Sequence, residues 1–402
     1  MRSLIVLYYH KLPYPITSGT NKRIEAMVAF LRQRYRVGLV VPAYHPEAEQ
    51  LAGLFDYIWF GGNYNSVSGK VKWRLQRIVY GFFFHWKLEK KARILKPNRL
   101  LKPNVHAGWR LYRVCQKYKP ALLMVQKVPN TSPAVQIARH FGIPAVLDAH
   151  DLLSLRQAEM PGIAKEESTI APAELDLFRL YDALIAIQQQ EADLLRKYLP
   201  AQTVLTALHP VEGLNTPLKK ANPSEEISIL FVGSASDHNI DALEYFITYQ
   251  LPQVTAFEAK VRFTVCGGVS DAVKGRITPG GFGQVVEWVG VTEKLDEYYR
   301  SASIVINPVR FGSGLKIKTV EALGYGKCVV TTPLGAEGVP EVEDVLVISA
   351  PDRMWQAIRE LIQNPGQITI YQAKAREYTR KYLTPEACFR ELIQWIERSI
   401  TD

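Results

Sequence analysis

Cysteine is scarce: Cys115, Cys266, Cys328 and Cys388 are the only four in 402 residues. They form no Cys-x-x-Cys pair and no Cys/His cluster, which argues against a disulfide framework or a structural zinc site. They are expected as ordinary core residues in a reducing compartment. No window offers about 20 apolar residues in a row, so no membrane-spanning helix is expected. The apolar run Leu4–Leu7 behind Met1 and Arg2 is too short for a signal-peptide core, and no small-residue cleavage site follows it. It is expected as a first strand, and the expected location is cytoplasmic. No Gly-x-Gly-x-x-Gly follows the first strand of either half, which argues against a dinucleotide-dependent oxidoreductase. No Asp-x-Asp-like pair stands out to hold a cation, so no metal and no cofactor are expected.

Acidic residues are nearly missing from one stretch. Residues 70–119 hold 15 Lys/Arg and a single acid, Glu89, within a chain of net charge +10. Trp73, Tyr80, Phe82, Phe83, Phe84, Trp86 and Trp109 lie among those cations. Cations with interleaved aromatics can attract anionic lipid headgroups, which makes the inner face of a plasma membrane a candidate partner. A solvated helix pair with its aromatics turned to the core fits the same pattern. Nucleic acid has only this stretch in its favour and is not expected as a partner.

Hydrophobic residues make up 47% and charged residues 22%, which fits a folded chain too long for one core. Short apolar runs alternate with longer amphipathic ones. Strands are expected at Leu4–Tyr8, Val37–Val41, Tyr57–Phe60, Leu122–Val125, Ala145–Asp148, Ala183–Ile187 and Thr203–Ala207. Helices are expected at Lys22–Arg34, Ala134–Phe141, Pro172–Tyr181 and Gln189–Tyr198. A polar, proline-bearing linker follows near Thr216–Glu226, and the alternation restarts. Strands are then expected at Ile227–Val232, Val261–Cys266, Val285–Trp288, Ile304–Asn307, Cys328–Thr331 and Val345–Ile348. Helices are expected at Asp241–Tyr249, Leu315–Leu323, Arg353–Ile362 and over the last 30 or so residues. Wholly apolar strands separated by helices indicate parallel sheets covered on both faces. The expected fold is α/β, with two tandem Rossmann-like domains facing a cleft. The expected divisions are 1–220, 221–384 and a C-terminal helix at 385–402.

The densest chemistry lies in Pro308–Gly326, where the strand ending at Asn307 passes through Arg310, Gly312, Ser313, Gly314 and Leu315 into a helix. Glycines let the backbone approach a ligand closely. The helix N-terminus favours an anion, and Lys316 and Lys318 add positive charge. Glu321 lies three residues after Lys318 and shares its helical face. This arrangement suits a nucleoside diphosphate: backbone and lysines for the phosphates, a carboxylate for the ribose hydroxyls. A glycine turn with a surface Lys–Glu pair is the plainer alternative.

The segment resembles the donor-binding motif of retaining, GT-B-fold glycosyltransferases of the family 4 type. It is most similar to a bacterial branch that carries G-x-G-x-K-x-K-x-x-E-A. Phe231-Val232-Gly233-Ser234 with Asn239, Val265-Cys266-Gly267-Gly268, and Gly290-Val291 before Tyr298-Tyr299 resemble the family's donor-domain landmarks in order and spacing. Cys328–Thr332 and Gly335–Gly338 do so after the motif. The likeness covers about Ile227–Ala350. It implies donor contacts from Gly19, Gly233, Gly290, Val291, Arg310, Ser313, Gly314 and Leu315. It implies catalytic roles for His150, Lys316, Lys318 and Glu321, and it places Asn21, Arg23 and Asp151 on the acceptor side. Gly19 stands alone where many members carry two glycines. Ser313 stands where many carry a second glutamate, and the segment 233–239 lacks the Arg-Lys pair common there. The family's last helix commonly packs back on the N-terminal domain; here the stripe Phe389, Leu392, Ile393 and Ile396 would do so.

The resemblance implies a nucleotide-sugar co-substrate and a glycan or lipid-linked acceptor, in bacterial cell-surface polysaccharide synthesis. It also implies retention, with the leaving phosphate stabilised by lysines and helix dipole. A silent nucleotide-sugar-binding homologue, and a GT-B epimerase or phosphorylase, remain alternatives.

Overall fold

The computed structural model describes residues 2–16, 19–42, 45–61, 105–128, 132–152, 154, 170–211, 226–253, 261–276, 286–312 and 314–401. The expected linker up to 225, most of the basic stretch and Ser313 lie outside them. The described residues form two compact units. One runs to Leu208 and takes in the chain from Cys388 onward; the other runs from His209 to Ala387.

The first unit has seven parallel strands: β1 Leu4–Tyr9, β2 Arg36–Val41, β3 Tyr57–Phe60, β4 Leu122–Gln126, β5 Ala145–Asp148, β6 Ala183–Ala186 and β7 Thr203–Thr206. Their order is β3-β2-β1-β4-β5-β6-β7. Helices α1 Gly19–Arg32, α2 Val105–Tyr118, α3 Ser132–Phe141, α4 Pro172–Phe178 and α5 Gln189–Tyr198 connect them. Side chains alternate across a strand, so β1 feeds two cores. Leu4, Val6 and Tyr8 join one, while Ile5, Leu7 and Tyr9 join the other. Burial on both sides is why these strands are apolar throughout.

The second unit has six parallel strands: β8 Ile227–Val232, β9 Val261–Cys266, β10 Val286–Gly290, β11 Ile304–Asn307, β12 Cys328–Thr331 and β13 Val347–Ile348. Their order is β10-β9-β8-β11-β12-β13. Its main helices are α6 Asp237–Tyr245, α7 Val269–Lys274, α8 Leu295–Ser301, α9 Ile317–Gly324, α10 Met354–Gln363 and α11 Pro365–Tyr378. In both sheets the order reverses beside the first strand, which opens a crevice at the strands' carboxyl ends.

The last helix, α12 Arg390–Thr401, belongs to the first unit. Phe389, Leu392, Ile393 and Ile396 are buried in the core that holds Phe30, and the Phe389 ring lies 5.5 Å from that of Phe30. The Thr206 amide donates to the Glu391 carboxylate at 2.8 Å. Cysteines 115, 266, 328 and 388 are all buried and unpaired with one another. Among the described residues no helix is long and apolar enough to cross a membrane.

Candidate functional site

In the second unit, glycines lace the carboxyl ends of three neighbouring strands. Gly233 donates to the Cys266 carbonyl at 3.0 Å, and Gly267 donates to that of Gly290 at 2.6 Å. Gly267 has φ +94°, and a Cβ there would meet the Gly233 carbonyl oxygen at 2.2 Å, so no other residue fits. Val291, just past β10, is 77% exposed.

Beyond β11 the chain turns through Gly312 and Gly314, both at positive φ. The Lys316 ammonium donates to the carbonyls of both, at 2.7 and 3.0 Å, and so staples the turn from within. A buried polar network fixes the helix behind it. Asn307 Nδ2 donates to Thr319 Oγ1 at 2.9 Å, and that hydroxyl donates to the Gly335 carbonyl at 2.8 Å. Asn307, Thr319, Thr331 and Thr332 are each at most 1% exposed. These hydrogen bonds tie β11, the turn after β12 and the first turn of α9 together, so the network anchors α9.

On α9 the Lys318 ammonium donates to Asn239 Oδ1 and lies 4.8 Å from the centroid of the Phe231 ring. Its pKa is pushed down to about 7, first by burial and then by Lys316, with Glu321 opposing. Part of the Lys318 side chain still reaches solvent. Glu321 accepts from the Tyr299 hydroxyl at 3.3 Å. The Tyr299 ring stacks on Tyr325 at 4.6 Å, and the Tyr325 hydroxyl donates to Asp296.

Arg310, expected at the phosphates, pairs with a carboxylate within its own unit. Its guanidinium grips Asp241 with two bonds, at 2.9 and 2.5 Å, and lies 4.2 Å from the Tyr245 ring centroid. The planar fork matches the carboxylate and braces the turn against α6.

In the first unit, Gly19 opens α1 and Asn21 Nδ2 donates back to the Pro15 carbonyl at 2.8 Å. Arg23, expected on the acceptor side, lies in the core of its unit. It is fully buried, clamps Asp148 at 3.0 and 3.1 Å and donates to the Leu208 carbonyl at 2.8 Å. Burial alone would raise the Asp148 pKa, but Arg23 and His150 outweigh it and hold the carboxyl below its ordinary value.

His150 follows β5 in a left-handed conformation, φ +63°, and is 3% exposed. Such backbone in a non-glycine residue is costly and concentrates at functional sites. Its Nε2 lies 2.8 Å from Gln126 Oε1 and 3.6 Å from Asp148 Oδ2. Its pKa is pushed down to about 3: burial leads, Asp148 opposes, and Arg23, Lys127 and His10 add to the lowering. Arg23 has already claimed Asp148, so His150 stays neutral and offers hydrogen bonds rather than charge.

Asp151 stands beside His150, and the sequence reading passed over its neighbour Glu191. An acid in the first turn of a helix looks like a plain dipole partner. Glu191 is 4% exposed and accepts from Gln188 at 3.2 Å and from the Leu152 backbone. Burial, then the Asp151 charge, push its pKa up to about 8. The folded chain therefore holds a proton there that the unfolded chain releases above the ordinary value of 4.5. Stability contributed this way is intact below pH 4.5 and falls as pH rises toward 8. Glu191→Gln should match the wild type in melting temperature near pH 4 and melt several degrees higher at pH 8. Thermal scans across that range would refute this if the difference stayed flat.

Comparison with known proteins follows this division. Residues 18–210 match the model of a glycosyl transferase 4-like domain, and residues 226–364 match glycosyl transferases group 1. An uncharacterized 44.6 kDa protein in the cps region of Klebsiella pneumoniae is 26% identical over 170 residues. That alignment takes in 40% of this chain and 42% of its relative, less than half the relative's length. D-inositol 3-phosphate glycosyltransferase 1 of Catenulispora acidiphila is 25% identical over 64% of this chain and 67% of its own. Among solved structures, Anabaena HepE in complex with UDP and glucose has a similar fold, with TM-score 0.67 and 13% identity. That match covers 98% of this chain and all of HepE.

Proposed function

The chain belongs to the GT-B glycosyltransferases, and from that premise we propose that it moves a sugar from a nucleotide-sugar donor to a glycan or lipid-linked acceptor. The carrying observation is the α9 entrance: two left-handed glycines stapled by Lys316, then Lys318 and Glu321 on one helical face. The neighbour HepE was solved with UDP and with UDP-glucose, which supports a donor of that class.

In this reading the anomeric C–O bond breaks and the nucleoside diphosphate departs with both electrons. Lys318, Lys316 and the N–H groups opening α9 stabilise the charge that grows on it. These protein cations do the work a metal would otherwise do, so the reaction runs without one. Glu321 holds the ribose hydroxyls and is itself held by Tyr299. Neutral His150 hydrogen-bonds the reacting sugar. The departing phosphate takes the acceptor proton on the same face, and the product keeps its anomeric configuration. The basic, aromatic stretch 70–119 favours an acceptor at an anionic membrane surface, as in bacterial cell-surface polysaccharide synthesis.

The test is a thermal-shift screen against UDP-, GDP-, dTDP- and CMP-sugars and the free nucleotides. One base should raise the melting temperature; at 100 times its Kd the stabilisation is about 2.7 kcal/mol. Glu321→Ala should abolish the rise. No shift with any nucleotide in folded protein would overturn the reading.

A further inference from the structure

We propose that Asn239 is a positioning residue that holds the Lys318 ammonium toward the donor's diphosphate, a role that rests on the reading above. Asn239 lies in the first turn of α6 and is 3% exposed. A carboxamide buried so fully needs partners at both ends. Its Nδ2 donates to the Ser234 carbonyl at 3.1 Å and to Ser234 Oγ at 3.3 Å. Its Oδ1 accepts from Lys318, 79 residues further along the chain. An ammonium only donates, so the amide can face it in one orientation alone.

The surroundings fix the amide in place. A Cβ on Gly233 would lie 3.1 Å from Asn239 Cγ and 3.1 Å from the Phe231 ring, so the turn after β8 packs directly on it. Phe231 then covers another side of the ammonium. The amide therefore ties the turn after β8 to the helix after β11, two strands that are hydrogen-bonded neighbours.

The choice of an amide has a physical consequence. A carboxylate there would neutralise Lys318 and repel an anionic ligand. A hydrocarbon would leave the buried ammonium short of an acceptor, which is costly. An amide oxygen orients the ammonium and leaves its charge to be claimed by the ligand. The charged groups acting on Lys318 are Lys316 and Glu321, at and on its own helix. From α8 comes Tyr299, through Glu321. From β8 comes the uncharged Phe231; from α6, beside Asn239, come His238 and the Asp241 already paired with Arg310. The lowered Lys318 pKa agrees: burial and Lys316 outweigh the pull of Glu321 until an anion binds, and binding then draws in a proton.

The experiment is calorimetric titration of UDP, GDP, dTDP and CMP from pH 6 to 9, for the wild type, Asn239→Asp and Asn239→Ala. Wild-type affinity should fall about tenfold per pH unit above pH 7, as one proton must be taken up on binding. Asn239→Asp should move that limb upward by at least one pH unit. Asn239→Ala should move it downward and weaken binding at pH 7 about tenfold or more. A merely structural asparagine would lower the melting temperature and leave the limb where it was; that result overturns the proposal. Proton uptake, read on the wild type from binding heats in buffers of different ionisation enthalpy, covers the case of variants that do not fold. Uptake above pH 7 is expected, and its absence overturns the proposal too. If no nucleotide binds the wild type at all, the parent reading fails. If one binds and the Asn239→Asp limb stays put, only the positioning role fails.

Discussion

Lys318→Met lowers the rate of sugar transfer by about 10²–10³-fold, the usual cost of deleting one preorganised charge donor at a developing oxyanion. Methionine keeps the length and apolar character of the stem, so packing against Phe231 survives and only the ammonium goes. The loss falls on kcat as well as on donor binding, because the charge on the leaving diphosphate is larger in the transition state than in the bound donor. Lys316→Met behaves differently. Its ammonium is bonded to the carbonyls of Gly312 and Gly314, so its removal loosens the turn and raises the donor KM more than it lowers kcat. Steady-state kinetics with the donor found in the thermal screen separates the two. A Lys318→Met enzyme within tenfold of wild type, or one impaired only in KM, refutes the assignment.

The contrast between these lysines shows what the sequence could and could not reveal. Gly312, Gly314, Lys316, Lys318 and Glu321 are close in sequence, so spacing alone brought them to one strand-to-helix junction. The strands were legible for a similar reason: parallel strands buried on both faces are apolar throughout, and all thirteen expected runs form strands within one or two residues. Helices α2, α7 and α8 were not named in advance, α11 only at its end, and α9 starts two residues later than its periodicity suggested. Long-range pairings carry no local signal. Asn239 meets Lys318 across 79 positions, and Arg23 meets Asp148 across 125. The two arginine pairings escaped notice for one reason. Arg23 and Arg310 looked free for a ligand because their acidic partners, Asp148 and Asp241, lie far away in sequence. Glu191 was missed because nothing local distinguishes a buried first-turn acid from a solvated one.

The Arg23–Asp148 clamp carries the largest stability effect. Both side chains are at most 1% exposed. Arg23→Met leaves Asp148 charged, buried and without its cation, which costs roughly 3–5 kcal/mol. For a unit of some 200 residues that lowers the melting temperature by roughly 10 °C. The pH dependence gives the mechanism away. In the wild type Arg23 keeps the Asp148 pKa low, so the pair stabilises the fold above the ordinary carboxyl range and fails only in strong acid. Without Arg23, burial pushes that pKa above the ordinary value, so ionising Asp148 in the folded state costs free energy that grows as pH rises above the carboxyl range. The deficit of Arg23→Met should therefore shrink at pH 4 and be full at pH 8. Adding Asp148→Leu should recover much of the loss at pH 8, because the stranded charge is gone. Scanning calorimetry of the three proteins at both pH values decides it. A deficit of under 2 °C at pH 8, or an equal deficit at pH 4, would refute Arg23 as the clamp that holds Asp148 charged beside His150.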